Sequence, residues 1–511
     1  VLPGLGIQNL PQTTFMRWAR QRMMLPAELA VNDRTLDVIL DRALPYAERA
    51  TAYQRSRLKG SLHMRDLINA CAEAYRADFN PPPDGMIITP KREGSLDLSY
   101  RVPAAFLWSA YEAERKDAGG RLRAIHEHRR YLVDTITRYI MEDHGLRYRE
   151  RGRELVGRVS RGDGTPEQLQ RWGELVKGYR GNPEPVLRKL QAEVNRLVRL
   201  ELNRSWPMHT PLSLYDRLLT DMNFLQRAAP LTWTAEDLVA LLQPAPPGED
   251  LRIEDLAPLM YLHSLVEESR AIPAPYDHIV VDEAQDFSPF QMWLLHRTVS
   301  HDSMTILGDL AQSIHSYRGI TAWEQLREAV SGRFEYAEMP RSYRSTHEII
   351  TFANGIITSL NRQTQHRYAL ADPFPRHGEP VRIERIDEEQ PWLDALRARS
   401  EEMYSRGYQR IAIICKDAAE CERVHAELSQ YDPTIELLTR PEQKLESGTI
   451  IVPVHLTKGL EFEGCIIANA SAAHFSETEL DGRLLYVATT RALHELAVYT
   501  LGAPSAHLTP Q

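Results

Sequence analysis

His278-Ile279-Val280-Val281-Asp282-Glu283-Ala284-Gln285-Asp286 is a short apolar run that ends on two adjacent carboxylates. The run reads as a buried strand of a parallel sheet. Side chains alternate across a strand end, so Asp282 and Glu283 point differently. One carboxylate suits a Mg²⁺ ion held through water. The other suits proton abstraction from a water that attacks a γ-phosphate. The carboxyl ends of strands are also where α/β sheets bind ligands. The blander reading is that these acids decorate a helix N-terminus. A helix is expected next, because Ser288 and Gln291 form an S-x-x-Q capping box with Pro289 at the first helical position.

Downstream, the apolar run Met304 to Leu307 leads into Leu307-Gly308-Asp309-Leu310-Ala311-Gln312-Ser313-Ile314-His315-Ser316-Tyr317-Arg318-Gly319. The Gln312 amide suits a γ-phosphate, the Tyr317 ring a stacked base and Arg318 a phosphate. In Ser342-Tyr343-Arg344-Ser345-Thr346-His347-Glu348, Ser345 and Glu348 read as a second capping box. That places Arg344 just outside a helix start, where it can serve as a phosphate finger. His455-Leu456-Thr457-Lys458-Gly459-Leu460-Glu461-Phe462 lies between two candidate strands, and Leu485 to Ala492 carries a second candidate finger, Arg491.

The alternation of strands and helices continues on both sides of these motifs. Val381–Ile383, Ile411–Ile414, Thr449–Val452, Cys465–Ile467 and Leu496–Val498 read as strands, and 417–428 as a helix between them. The stretch 55–235 is polar and helix-favouring. It is punctuated by Pro81-Pro82-Pro83, Gly119-Gly120 and Gly162-Asp163-Gly164.

Together the motifs resemble those of UvrD/Rep-like superfamily 1 helicases. Asp282 to Asp286 resembles motif II, Gly308 to Gly319 motif III, and Tyr343 to Thr346 motif IV. Lys458 to Phe462 resembles motif V, and Leu485 to Ala492 motif VI. Thr13-Thr14-Phe15 resembles motif Ib, which touches the DNA backbone. The resemblance implies that Asp282 ligands Mg²⁺ and that Glu283 is the general base. It implies that Gln312 senses the γ-phosphate of ATP and that Arg344 and Arg491 are arginine fingers. Gly459 and Glu461 would lie at the nucleotide, with Glu461 on the ribose. Tyr317 would stack on a base of single-stranded DNA, and Arg318, His455 and Thr457 would line the strand path. It also implies 3′ to 5′ translocation.

The expected fold is α/β, with two RecA-like parallel-sheet lobes of the P-loop NTPase type. Residues 1–54 read as a remnant of the first lobe and 55–235 as a helical insertion. Residues 236–333 read as the rest of the first lobe and 334–511 as the second lobe. Two features depart from the family. No G-x-x-x-x-G-K-[ST] occurs in the chain. The expectation is therefore a fragment of a longer parent, or a relative without the loop, with poor ATP binding by this chain alone. Arg344 and His455 are only 111 residues apart, whereas the stretch before motif II is long. That spacing resembles the HelD and DNA helicase IV-like group, whose members associate with RNA polymerase.

Composition fits these expectations. The 511 residues are 43% hydrophobic and 26% charged. No apolar run reaches the roughly 18 residues that span a bilayer, and Val1 to Gly6 lacks a signal-peptide pattern, so a cytoplasmic protein is expected. Cys71, Cys415, Cys421 and Cys465 contain no C-x-x-C pair. Net charge is −9, yet Arg121 to Arg204 holds 19 basic and 12 acidic residues, which leaves −16 elsewhere. That basic stretch suits a polymerase-binding arm or a DNA contact.

Overall fold

The computed structural model describes residues 13–33, 35–40, 44–88, 100–117, 125–170, 184–243, 251–266, 276–330, 334–364, 367–438 and 447–508. Val1 to Gly6 and Gly119-Gly120 lie outside them. The chain forms two compact units, both discontinuous in sequence. One comprises Val1–Asn32 and His63–Pro273, the other Asp33–Leu62 and Ala274–Gln511.

The second unit carries the motifs. Its main strands are β1 (Ile279–Val281), β2 (Met304–Ile306), β3 (Arg382–Ile386), β4 (Arg410–Cys415), β5 (Glu436–Leu437), β6 (Gly448–Pro453), β7 (Phe462–Ile467) and β8 (Ala492–Leu501). β1 and β2 pair in parallel. The others form a six-stranded sheet in the order β5-β6-β4-β7-β8-β3, and every pairing in it is parallel. Its main helices are α1 (Thr35–Leu40), α2 (Tyr46–Gly60), α3 (Pro289–His296), α4 (His347–Gln363), α5 (Glu389–Ser405), α6 (Ala418–Leu428) and α7 (Glu479–Thr489).

The twofold period of a strand sorts the six-stranded sheet into two cores. Ala412, Ile414, Val452, Cys465 and Ile467 face α4 and α7, burying Ile349, Ile356, Leu484 and Val487. The alternate residues Ile411, Ile413, Ile451 and Ile466 face α5 and α6, burying Trp392, Leu396, Cys421 and Val424. Helices on both faces explain why these strands read as unbroken apolar runs. Trp392 adds a polar tie, since its Nε1 donates to the Ala468 carbonyl at 2.6 Å.

Beyond the end of β4 sits a buried polar cluster. The Lys416 amide donates to Glu420 of α6 at 2.8 Å. Lys416 Nζ donates to Asp481 and to the His474 carbonyl. His474 Nε2 lies 3.4 Å from Glu420 Oε1. Burial pushes the Glu420 carboxyl up to about 7.

The α3 start is as expected: the Ser288 side chain and Gln291 form the reciprocal box, with Pro289 in the first turn. The second expected box is corrected. Thr346, one residue further on, caps α4 by accepting from Ile349 N–H. Ser345 instead donates to the Ala492 carbonyl at 2.6 Å. Glu348 accepts from Gly378 N–H and pairs with His377, which together lower its carboxyl to about 2.

The first unit is mostly helical. It contains the long helices Ile125–Arg161 and Glu184–Ser205, which pack on each other. Two small strand pairs accompany them, Val31–Asn32 with Leu251–Arg252 and Met86–Ile88 with Tyr100–Val102. All four cysteines are buried with free thiols. Among the described residues no helix is long and apolar enough to cross a membrane.

Candidate functional site

The site lies in the second unit, where five segments meet. Just beyond β1, Glu283 adopts a left-handed backbone, φ 53° and ψ 39°. A non-glycine residue held there stores strain of a kind that clusters at functional sites. The turn is stabilised locally: Asp282 Oδ1 accepts the Glu283 N–H at 2.9 Å. Asp282 itself is exposed.

Buried Gln285 ties this turn to the next segment. Its Nε2 donates to Glu283 Oε2 at 2.5 Å, and its Oε1 accepts from Asp309 N–H at 3.0 Å. Close packing there explains two glycines. A Cβ on Gly308 would lie 2.5 Å from Gln285 Oε1, and one on Gly319 would lie 2.1 Å from the Gln285 carbonyl oxygen.

The other three segments contribute cations. Lys458 Nζ stands 2.7 Å from Asp286 and 3.4 Å from Glu283, with its side chain 9% exposed. Burial raises the Asp286 carboxyl, and Lys458 partly offsets that shift. Gly459 supplies φ 79° for the turn that follows. Arg491, buried just past α7, donates to Gln312 Oε1 at 2.8 Å and to the Val487 carbonyl at 3.1 Å. Burial and the nearby Arg344 charge lower its pKa, while Glu283 and Glu461 act in the opposite direction. Gln312 also donates to Asp309 at 2.7 Å. Arg344 pairs with Glu461 at 2.8 Å and remains half exposed.

The structure therefore brings together Asp282, Glu283, Gln312, Arg344, Gly459, Glu461 and Arg491. Sequence reading assigned no role to Gln285 and Lys458, although both stand inside the quoted motifs. Buried charge pairing and the two-ended amide bridge appear only once the five segments are assembled.

Several residues expected to contact nucleic acid are buried in this structure. Tyr317 is 1% exposed and its hydroxyl sits 3.0 Å from His315 Nδ1, so neither ring face is open to a base. Arg318 is also buried and pairs with Asp33 through both terminal nitrogens. Thr457 is fully buried and donates to the Val454 carbonyl at 2.6 Å. His455 is largely buried, and burial lowers its pKa. In the first unit Phe15 is 8% exposed and packs on Trp18. Thr14 caps the Phe15–Met23 helix by accepting from Arg17 N–H, and Thr13 is exposed. The open aromatic ring in the motif region is Tyr343, 62% exposed, next to Arg344.

Comparison with known proteins agrees with this arrangement. Residues 208–327 match the UvrD/REP helicase N-terminal domain. Residues 449–499 match the UvrD-like helicase C-terminal domain. ATP-dependent DNA helicase SRS2 of Saccharomyces cerevisiae is 33% identical over 26% of this chain and 12% of its own length. ATP-dependent DNA helicase UvrD2 of Mycobacterium tuberculosis is 31% identical over 21% of this chain and 16% of its own. A Mycoplasma pneumoniae protein described as a DNA helicase is 23% identical over 45% and 44%. The chain thus spans less than half the length of these relatives. Two parts of the chain are therefore similar to UvrD-like helicase domains, and the parallel strands flanked by helices fit an α/β fold.

Proposed function

We propose that this chain is the motor portion of an ATP-dependent helicase or translocase that moves on single-stranded DNA in the 3′ to 5′ direction. In this reading β1–β2 and the six-stranded sheet belong to two RecA-like lobes, with the helices of 55–235 inserted in the first. The observation that carries the reading is the convergence of Glu283, Gln312, Arg344 and Arg491 from four sequence-distant segments. Structural packing alone does not require an acid, an amide and two arginines to meet.

The acidic turn fits a hydrated Mg²⁺. Asp282 is exposed, and the pairing of the Lys458 ammonium with Glu283 and Asp286 supports a negative potential at this turn. Mg²⁺ needs only one or two carboxylates, with phosphates and water completing its shell. When bound, Mg-ATP supplies the scissile phosphoanhydride. The chain's own groups divide the remaining work. Asp282 would hold the cation. Glu283, turned by its left-handed backbone, accepts a proton from water. Gln312 and Arg491, already bonded to each other, hold one orientation, and Arg344 offers its exposed guanidinium to developing negative charge. The Tyr343 face beside it suits a base. The main phosphate cradle is the part for which the sequence has no G-x-x-x-x-G-K-[ST].

Two assays test this. Anisotropy with labelled oligo(dT) should show salt-dependent binding, and no binding at about 50 mM salt would reject the nucleic-acid half. ATP hydrolysis by this chain should be low, and Glu283→Gln should abolish what remains. Hydrolysis indifferent to that change would reject the catalytic assignment.

A second reading follows from the packed helices Ile125–Arg161 and Glu184–Ser205 in the basic stretch. It makes the parent a HelD-type ATPase that releases RNA polymerase. Retention of the chain on core polymerase at physiological salt supports it, and loss of retention counts against it.

A further inference from the structure

Segment 33–62 belongs to the motif-bearing unit, although it is far from the motifs in sequence. Its α2 end is fitted tightly. Arg57 donates to the Ser316 and Gly319 carbonyls at 3.1 and 3.0 Å. A Cβ on Gly60 would meet Ser288 Cβ at 2.8 Å. Its α1 end is different, because its contacts fall on groups that sequence reading assigned to a nucleic-acid strand. Asp33 takes both terminal nitrogens of Arg318. Asp37 lies 3.8 Å from His455 Nε2. Leu36, 1% exposed, is buried in the same core cluster as Tyr317, with Ile39 and Leu40 packed against it.

A carboxylate held two-pronged by a guanidinium is a geometric stand-in for a backbone phosphate, since both present two oxygens to the same fork. Arg318 has one fork, so Asp33 and a phosphate exclude each other. Both aspartates remain about half exposed, so solvent and competing ions reach the pairs.

We propose that Asp33 and residues 35–40 form an intramolecular cap that occupies the single-stranded DNA path in the free chain, with Asp33 and Asp37 in the place of backbone phosphates and Leu36 in the core cluster that buries Tyr317. The proposal rests on the nucleic-acid reading above. DNA then binds by displacing the cap, which frees Arg318 and uncovers the Tyr317 ring in one step. This accounts for a stacking aromatic that is buried in the unliganded chain.

The test is oligo(dT) binding by Asp33→Asn/Asp37→Asn beside the unaltered chain and the remote charge control Glu401→Gln, all at matched thermal stability. The double variant should bind roughly two- to fivefold tighter, the range expected for releasing exposed ion pairs. Adding Arg318→Gln should cancel the tighter binding. In the unaltered chain, hydrogen exchange over 33–40 should accelerate when DNA is added. Equal or weaker binding by the double variant overturns the cap and leaves the helicase reading intact. Weaker binding would mean that Asp33 orients Arg318 toward DNA. Equally tightened binding by Glu401→Gln also overturns it, because the effect would then be bulk charge. No binding by any of the proteins rejects both the cap and the nucleic-acid reading.

Discussion

Replacing Glu420 by Gln should make the chain more stable at alkaline pH while changing little at acid pH. Glu420 is 4% exposed, and burial raises its carboxyl from 4.5 to about 7. The folded state therefore holds a proton that the unfolded state releases between those values. Stability falls with pH wherever the native state binds more protons. The loss is absent below pH 4.5, grows up to pH 7 and is constant above it. At about 1.36 kcal/mol per pKa unit, the full penalty is ~3 kcal/mol. At pH 5 roughly a quarter of it is present. Gln carries no charge at either pH, and its amide oxygen can still accept the Lys416 N–H. Any fixed cost of the amide cancels in a comparison across pH. Urea unfolding followed by circular dichroism at pH 5 and pH 8, for both proteins, gives the double difference. The variant should gain roughly 2–3 kcal/mol relative to the parent between the two pH values. Lys416, Asp481 and His474 are common to both proteins. Repeating the comparison in a His474→Asn background isolates the carboxylate. A double difference near zero, or one of opposite sign, would refute burial as the cause of the shift.

Two other perturbations act at the site. Lys458→Met leaves Asp286, raised by burial, without its cation. It should destabilise the second unit by about 3 kcal/mol at pH 8 and by less at pH 5, where Asp286 takes up a proton more readily; equal losses at both pH values by urea titration would contradict this. Gly319→Ala places a methyl 2.1 Å from the Gln285 carbonyl oxygen, a collision with backbone. It should cost about 1–3 kcal/mol and lower the thermal midpoint, whereas an unchanged midpoint would show that the turn can yield.

Strands were the most legible feature. Ile411–Ile414 is a continuous apolar run because both faces of its sheet are covered, and the structure places a strand over it. Ile279–Val281 is also a strand, but Val280 is 60% exposed, so the expectation of full burial is corrected there. Capping was legible where one hydroxyl competed for the position, as at Ser288. It failed where Ser345 and Thr346 stand side by side. Either can cap a helix, and the long-range bond from Ser345 to the Ala492 carbonyl decided between them. Burial within motifs was not legible. Tyr317 reads as a stacking residue from its type, but it is buried in a core cluster whose members, Leu36 and Leu484 among them, come from far along the chain. Nothing in the local pattern around 33–62 signals that it packs beside the motifs, because its partners are backbone carbonyls and side chains brought in from far along the chain.

The segment 33–62 also has a consequence for biosynthesis. It belongs to a unit whose strands begin only after residue 273, so the ribosome makes α1 and α2 long before the motif-bearing core that they enter. At roughly 5–20 residues per second, about 10–40 s separate the two. During that interval Leu36, Ile39 and Leu40 have no core to enter, and the closing loop exceeds 200 residues. Because closure entropy grows only logarithmically, that length costs little thermodynamically. Its burden is kinetic: a nascent chain with a waiting apolar helix is a natural client for a chaperone that binds it early and lets go late.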